Sequence, residues 1–174
     1  AGGKGVNVAR ALAALGVPCV VAGLVGGRTG AEILRGLKAE RIDCSCTRVR
    51  GESRTCTILD DPTSREQTVL NEPGPDVSEA ELARFVGRYR SLFCQISAVV
   101  ITGSLPPGLP ADTYATLVRI AHDAGKRVFL DATGIPIANI GFKPAAKFYG
   151  RPKVVIGDIN ATADLTPCQL PFGF

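Results

Sequence analysis

The chain begins with a glycine-rich turn, Gly2-Gly3-Lys4-Gly5, and Asn7 lies two residues after Gly5. Glycines cost conformational entropy and bury no side chain, so three of them within four positions have no packing purpose. They leave backbone N–H groups accessible to an anion at the positive end of the helix that follows. Lys4 adds a full positive charge, and the Asn7 amide can both donate to and accept from hydroxyls. This combination suits a sugar phosphate, and the alternative is that the glycines only form the entry turn of a helix.

Two further candidate residues come directly after predicted strands. Ser104 lies in the loop 103–108, after the apolar run 98–102, and Asp131 follows the apolar run 127–130. Open α/β sheets bind ligands at the carboxyl ends of their strands. Ser104 is therefore a candidate ligand contact, and a stiff strand-to-helix connector explains the same loop equally well. Asp131 has three open roles, which are orienting a metal ion, orienting a loop and capping the next element.

Helix and strand periods alternate along the chain. Apolar residues recur at helical spacing over 8–15, and Gly16 ends that run. Thr29 is the predicted N-cap of a second helix. Ser78 is the predicted N-cap of a third, with Glu81 three residues on as its capping-box partner. The predicted strands are 19–25, 44–49, 54–59, 67–71, 98–102, 127–130 and 153–156.

This alternation predicts an α/β fold, a parallel sheet with helices on both faces. The β-rich stretch 44–72 interrupts the pattern, so we expect it to stand outside the sheet as a flap that ends in a hairpin. Arg54 lies at the start of that hairpin, and a lone arginine is most often a solvated surface group. The pattern degrades after about residue 135, so we treat 135–174 as a divergent or aberrant tail.

Composition restricts the partners and the compartment. A formal net charge of +4 over 174 residues is too mild to indicate nucleic acid. No apolar stretch approaches the roughly 20 residues that cross a bilayer, so we expect no membrane partner. The six cysteines lack the spacing of a disulfide framework, and the chain has a single histidine, so we expect no zinc site. Reduced, mostly buried thiols in a cytoplasmic protein are the expectation.

Two familiar phosphate-binding motifs are absent. Gly3-Lys4 is followed by Gly5, so the chain lacks the Gly-Lys-Ser/Thr ending of a P-loop. The glycines over 23–30 do not have the spacing of a dinucleotide-binding fingerprint.

Taken together, these residues resemble the PfkB carbohydrate kinases of the ribokinase-like fold. The family's first signature is a glycine-rich turn followed by Asn and by glycines at set distances, and residues 2–9, Gly16 and Gly26 fit it. Two segments are similar to the hexose-phosphate branch of the family, such as 1-phosphofructokinase and tagatose-6-phosphate kinase. They are Gly-Gly-Lys-Gly-Val-Asn-Val-Ala-Arg and Gly-Ser-Leu-Pro-Pro-Gly. The resemblance covers residues 1–134. It implies a three-layer sandwich with a mostly parallel sheet and a small β lid over about 44–72.

The resemblance also implies substrate-binding residues. Gly3, Gly5 and Asn7 would hold the sugar, and Lys4 would lie near its phosphate or the transferred group. Ser104 would contact the phosphosugar.

Arg54 matches the lid arginine that grips the phosphate already on the sugar. The physics agrees, because an arginine fork on a mobile flap can bind phosphate bidentately and exclude water. The family further implies ATP and Mg²⁺ as cofactors, a hexose phosphate as substrate, and a homodimer through the lid strands.

The end of the chain departs from the family pattern. The family's Asn-x-x-Glu motif near magnesium has only Asn160-Ala-Thr-Ala163 as a counterpart, and the Gly-Ala-Gly-Asp motif that carries the catalytic base is missing. Methionine is absent, including at position 1. We therefore expect a kinase fragment, incomplete at both ends, with no catalytic residue and no metal ligand in this chain. The alternatives are a catalytically inactive sugar-phosphate-binding protein and a non-functional fragment.

Overall fold

A computed structural model describes residues 2–63, 66–132 and 154–158 of the chain. Helices and strands alternate along these residues, as the sequence predicts. The helices are α1 (Lys4–Ala14), α2 (Gly27–Ala39), α3 (Glu79–Ser91) and α4 (Thr113–Asp123), with a short 3₁₀ turn at Phe93–Gln95. The strands are β1 (Cys19–Gly26), β2 (Asp43–Cys44), β3 (Thr47–Val49), β4 (Cys56–Asp60), β5 (Gln67–Asn71), β6 (Ala98–Gly103), β7 (Arg127–Ala132) and β8 (Val154–Asp158).

A parallel sheet forms the centre of the described structure. Its strands lie in the order β2-β1-β8-β6-β7, and β3 pairs with β1 next to β2. Strand β8 lies between β1 and β6, with its last residue, Asp158, opposite Gly23 on one side and Thr102 on the other. Because the strands are parallel, the ends of β1, β6, β7 and β8 lie along one side of the sheet, here called the carboxyl edge. The predicted α/β class is confirmed.

Helices cover both faces of this sheet, which makes three layers. On β1, the side chains of Val21 and Val25 pack with α1 and α2, and those of Ala22 and Leu24 pack with α3 and α4. This division follows from the strand period of two, which sends successive side chains to opposite faces. Both faces of β1 are buried, so its sequence reads as one continuous apolar run.

The predicted hairpin is confirmed. Strands β4 and β5 pair antiparallel from Cys56 opposite Asn71 to Asp60 opposite Gln67, as a separate two-stranded sheet. The single strand predicted over 44–49 is instead two short strands, β2 and β3.

The predicted capping box of α3 is also confirmed, and its glutamate has a second partner. The Ser78 hydroxyl accepts from the Glu81 N–H, and Glu81 Oε2 accepts from the Ser78 N–H at 2.9 Å. Glu81 Oε1 accepts from the Arg50 N–H at 2.8 Å, so the buried carboxylate joins α3 to the chain that leaves β3. These hydrogen bonds, first from Ser78 and then from Arg50, hold the pKa of Glu81 below its ordinary value.

Glu81→Gln tests this junction. The amide keeps the shape but loses the charge, so we expect a loss of about 1–2 kcal/mol in the free energy of unfolding at pH 7. The folded-state pKa of Glu81 is lowered, so the carboxylate stabilises the fold above its unfolded-state pKa and loses that effect as pH falls through the folded-state value. The difference between wild type and variant should therefore shrink below about pH 4 in denaturant titrations.

Glu79→Gln is the matched control, because Glu79 is an exposed carboxylate in the same first turn of α3. Its loss should stay within about 0.5 kcal/mol. Equal losses in the two variants, or a Glu81→Gln difference that does not change with pH, would contradict the assignment.

Candidate functional site

The start of α1 lies at the carboxyl edge, against the ends of β6 and β7. Lys4 Nζ is 3.8 Å from Asp131 Oδ2, and the Thr102 hydroxyl donates to the same oxygen at 3.4 Å. Thr102 and Asp131 are register partners in β6 and β7. The Lys4 and Asp131 side chains are 54% and 73% exposed, so both remain accessible to a ligand.

The N-terminus of α1 carries positive electrostatic potential. Gly3 is its N-cap with φ 117°, a left-handed conformation that other residues rarely adopt, and it is buried. Its N-cap residue contributes no side-chain cap, and its first turn holds no acidic residue. The first N–H groups of the helix and the positive end of its dipole therefore combine with the charge of Lys4. Gly5 is buried in the same turn.

Asn7 is held by Arg10, which Glu40 holds in turn, and the sequence analysis identified neither residue. Arg10 Nη1 donates to Asn7 Oδ1 at 2.9 Å. The same guanidinium donates to both oxygens of Glu40, at 2.6 and 2.7 Å, and this hydrogen bonding lowers the pKa of Glu40. With its oxygen occupied, Asn7 can present its NH₂ group to a ligand. Arg10 lies three residues from Asn7 on the same helix, a spacing from which their contact could have been predicted. Glu40 is thirty residues from Arg10, so the sequence contained no such indication for it.

Arg54 is positioned at the end of β1 by its neighbour Ser53. The Gly26 N–H donates to the Ser53 hydroxyl at 3.0 Å, and the Ser53 N–H donates to the Gly26 carbonyl at 3.1 Å. The approach is so close that a Cβ on Gly26 would lie 1.8 Å from the Gly51 carbonyl oxygen. Only glycine at position 26 permits this contact.

Glu52 caps α2, which corrects the prediction that Thr29 is its N-cap. The helix begins at Gly27, and Glu52 accepts the N–H groups of Arg28 at 3.2 Å and Thr29 at 2.5 Å. These hydrogen bonds, that from Thr29 first, lower the pKa of Glu52. Glu52 and Ser53 together attach the connection between β3 and β4 to the start of α2.

The Arg54 side chain is half-buried, and its Nε is buried with no hydrogen-bond partner among the described residues. Most buried polar atoms in proteins have a partner, so a buried guanidinium N–H without one indicates a place for an acceptor. The residue pattern by itself did not distinguish Arg54 from a surface arginine, and only the family resemblance gave it a role.

Ser104 follows β6 directly, after Gly103 with φ 98°, and is half-buried. It lies at the same part of the carboxyl edge as Lys4 and Asp131, since Gly103 pairs with Ala132. Arg54 belongs to the end of β1, which β8 separates from β6. Two strand spacings amount to about 10 Å, so the candidate residues form two groups along one edge.

The described residues contain no group of three or more His, Cys, Asp or Glu side chains arranged to hold a metal ion. Among the helices described, none is long and apolar enough to span a bilayer. None of the five cysteines in the described ranges forms a disulfide, and the expectation of mostly buried thiols was wrong, because only Cys56 is buried and Cys44 and Cys94 are exposed.

Comparison with known proteins places this geometry in context. Residues 1–147 match the family model described as pfkB family carbohydrate kinase. Among solved structures, the possible 1-phosphofructokinase from Thermotoga maritima is 36% identical with a TM-score of 0.76, over 90% of this chain and 48% of that chain.

Phosphofructokinase-2 from Escherichia coli is a second similar structure. In its tetrameric inhibited form it is 30% identical with a TM-score of 0.69, over 76% of this chain and 43% of that chain. It has also been solved in complex with fructose-6-phosphate, where the identity is 29%. Ribokinase from Giardia lamblia, 19% identical with a TM-score of 0.57 over 76% of this chain and 41% of that chain, shares the fold. The described architecture is thus the predicted ribokinase-like sandwich with a small β lid, and the chain spans about half the length of these structures.

Gly26→Ala tests the attachment of the Arg54 segment. The φ of Gly26 is −145°, which any residue adopts, so the new methyl group acts only through its clash with the Gly51 carbonyl. We expect a loss of about 1–3 kcal/mol in the free energy of unfolding, measured by denaturant titration.

Gly87→Ala is the matched control, since a Cβ at that position in α3 meets nothing within 4 Å. It should stabilise the chain by about 0.5–1 kcal/mol, because alanine loses less conformational entropy in a helix. Wild-type stability in Gly26→Ala would contradict the close approach.

Proposed function

This chain belongs to the pfkB family of carbohydrate kinases, and we propose that its enzyme transfers the γ-phosphoryl group of ATP to a hydroxyl of a hexose phosphate. The observation that carries the proposal is the buried Nε of Arg54, which lacks an acceptor among the described residues. A substrate that already bears a phosphate supplies that acceptor. The similar proteins named 1-phosphofructokinase and phosphofructokinase-2 support the same substrate class.

Arg54 is suited to grip the phosphate already present on the sugar. Its planar fork can donate two parallel hydrogen bonds to phosphate oxygens, and a charged donor forms a stronger bond than a neutral one. The hydrogen bonds between Ser53 and Gly26 hold the adjacent backbone in place. The fork is therefore oriented before the substrate arrives, which lowers the entropy lost on binding.

The other end of the sugar is assigned to α1 and the loop after β6. The N–H groups near Gly3 and Gly5 and the charge of Lys4 would stabilise the negative oxygens of the transferred group. Asn7 would bind sugar hydroxyls through its NH₂ group, since Arg10 occupies its oxygen. Ser104 would contact the phosphosugar.

Catalysis in this proposal rests on positioning and on charge stabilisation, as phosphoryl transfer generally does. ATP supplies the phosphoryl group, and Mg²⁺ neutralises charge on the phosphates when bound. No metal ligand is assigned to this chain, because its described residues form no group that would hold the ion. The proton-accepting Asp is proposed to lie outside this chain.

The lid hairpin is proposed to mediate a homodimer. Three apolar side chains on β4 and β5 are exposed, Leu59 at 54%, Val69 at 46% and Leu70 at 55%. Pairing with a second hairpin would bury this apolar surface. We place the enzyme in the cytoplasm, where its free cysteines would stay reduced.

The purified 174-residue chain should not turn over. We expect no phosphorylation of fructose 1-phosphate above the uncatalysed rate in a coupled ADP-release assay, because the proposed base is absent. Turnover at kinase-like rates, about 1–100 per second, would contradict the proposal that this chain lacks the catalytic base. Tight binding of hexose phosphates in calorimetry without turnover would instead favour an inactive binding protein. A thermal melt without a cooperative transition would favour a non-functional fragment.

Arg54→Ala tests the phosphate contact in an active enzyme that contains this chain. Loss of a charged hydrogen bond of about 1.5–3 kcal/mol should raise the KM for the hexose phosphate roughly tenfold to hundredfold and leave the KM for ATP nearly unchanged. Arg54→Lys should recover part of the loss, since lysine keeps the charge but not the fork.

Arg48→Ala is the control, as it removes an exposed arginine from the nearby strand β3. It should leave both KM values close to wild type. Equal increases for the sugar and for ATP in Arg54→Ala would remove the proposed role.

A further inference from the structure

The 75–77 segment lies between the chain that carries Arg54 and the loop that carries Ser104. It follows β5 and leads into the Ser78 N-cap of α3. Arg54 and Ser104 belong to the two groups of candidate site residues, which β8 separates along the carboxyl edge. A substrate bound by both groups requires a fixed distance between them, and the 75–77 segment contacts the backbone next to each.

On one side, the segment packs against the chain that precedes Arg54. A Cβ on Gly51 would lie 2.5 Å from Pro75 Cβ and 3.2 Å from Pro75 Cα, so the proline lies directly on the Gly51 backbone. The proline ring fixes its own φ, which makes this contact stiff. Glu81, which follows in α3, holds the same chain by accepting the Arg50 N–H at 2.8 Å.

On the other side, the segment is joined to the loop 103–108 after β6. The Val77 N–H donates to the Pro107 carbonyl at 3.0 Å. A Cβ on Gly108 would lie 2.7 Å from the Val77 carbonyl oxygen and 3.0 Å from the Val77 nitrogen, so the two backbones touch there. Val77 is 3% exposed and belongs to the core cluster against which Leu105 packs, next to Ser104. A shift of this loop would therefore disturb the 75–77 segment.

We propose that the 75–77 segment is a positioning element of the kinase site, which holds Arg54 and Ser104 at one separation and transmits a displacement of either to the other. The inference rests on the proposed function, because it concerns a hexose phosphate bound by both groups. Its physical basis is close packing, since backbone atoms already in contact leave no void that could absorb a displacement. The segment acts through Arg54 and Ser104, and none of its residues is assigned a contact with the substrate.

Amide hydrogen exchange in the 174-residue chain tests the connection without any ligand. Gly108→Ala places a methyl group against the Val77 backbone, so exchange at the Val77 N–H should rise about threefold to tenfold through the weakened hydrogen bond. The Arg50 N–H, on the far side of the segment, should exchange faster as well. Gly51→Ala displaces the segment from the opposite side, and its far-side effect should be faster exchange at Val77.

Gly125→Ala is the matched control for Gly108→Ala. Gly125 has φ 69° against 81° for Gly108, so both alanines meet the same left-handed strain, but a Cβ on Gly125 meets nothing within 4 Å. Val99, buried in β6, is the reference amide for global unfolding. The increases at Val77 and Arg50 should exceed that at Val99 in Gly108→Ala and should not exceed it in Gly125→Ala.

A double-variant cycle in an active enzyme that contains this chain tests the role toward the substrate. Gly108→Ala should raise the KM for the hexose phosphate and leave the KM for ATP nearly unchanged, whereas Gly125→Ala should leave both close to wild type. Because part of the Gly108→Ala effect passes through Arg54, it shrinks once Arg54 is absent. The increase in KM when Gly108→Ala is combined with Arg54→Ala should therefore be at least about twofold smaller than the product of the two separate increases.

Three results would overturn the proposal. The first is an unprotected Val77 N–H in the wild-type chain. The second is far-side exchange that rises no more than exchange at Val99, at Arg50 in Gly108→Ala and at Val77 in Gly51→Ala. The third is a KM in the double variant equal to the product of the separate effects.

The exchange measurement separates this proposal from the proposed function. An enzyme that phosphorylates no hexose phosphate would overturn the proposed function and the role of the 75–77 segment toward the substrate. Faster far-side exchange would still establish that the segment connects the two parts of the carboxyl edge.

Discussion

The attachment of residues 50–54 to the sheet sets the position of the lid and of Arg54. Ser53 exchanges two hydrogen bonds with Gly26 at the end of β1, and Glu81 accepts the Arg50 N–H from the base of α3. These are buried or half-buried polar groups, each costing about 1–3 kcal/mol if left unpaired. The connection therefore has one favourable path over the sheet. That path requires glycine at position 26, because the Gly51 carbonyl occupies the space of a side chain.

The helix starts near the carboxyl edge differ in how their positive ends are neutralised. Glu52 caps α2 and Glu81 caps α3, so a protein carboxylate already meets each dipole. The first turn of α1 holds no acidic residue and begins with Lys4. A helix start left with its positive potential, next to a lysine, favours an anion supplied from outside. The starts of α2 and α3 thus serve the fold, and we propose the start of α1 for a phosphorylated ligand.

The residues that could be predicted act over short separations in sequence. Ser78 and Glu81 are three residues apart and form the capping box that their spacing indicates. The hairpin of β4 and β5 follows from a turn signal between two alternating segments. Thr29 is not the N-cap because the helix already begins at Gly27, where Glu52, 23 residues from Thr29, accepts the N–H groups of Arg28 and Thr29. The thiols were expected to be mostly buried, but Cys44 is exposed because it lies in an edge strand whose position depends on pairing with β1.

The amino-acid sequence alone determined the alternation of helices and strands, the glycine-rich start of α1 and the family to which they belong, because periodicity and motif spacing are local properties of the chain. Only the tertiary structure decided how Arg54 is held, since the hydrogen bond beside it joins Ser53 to Gly26, which are 27 residues apart. It also decided that Arg10, itself held by Glu40, holds Asn7 and that Lys4 lies beside Asp131. Apart from the Arg10–Asn7 contact, these interactions join residues distant in sequence, and only the stacking order and register of the strands bring them together.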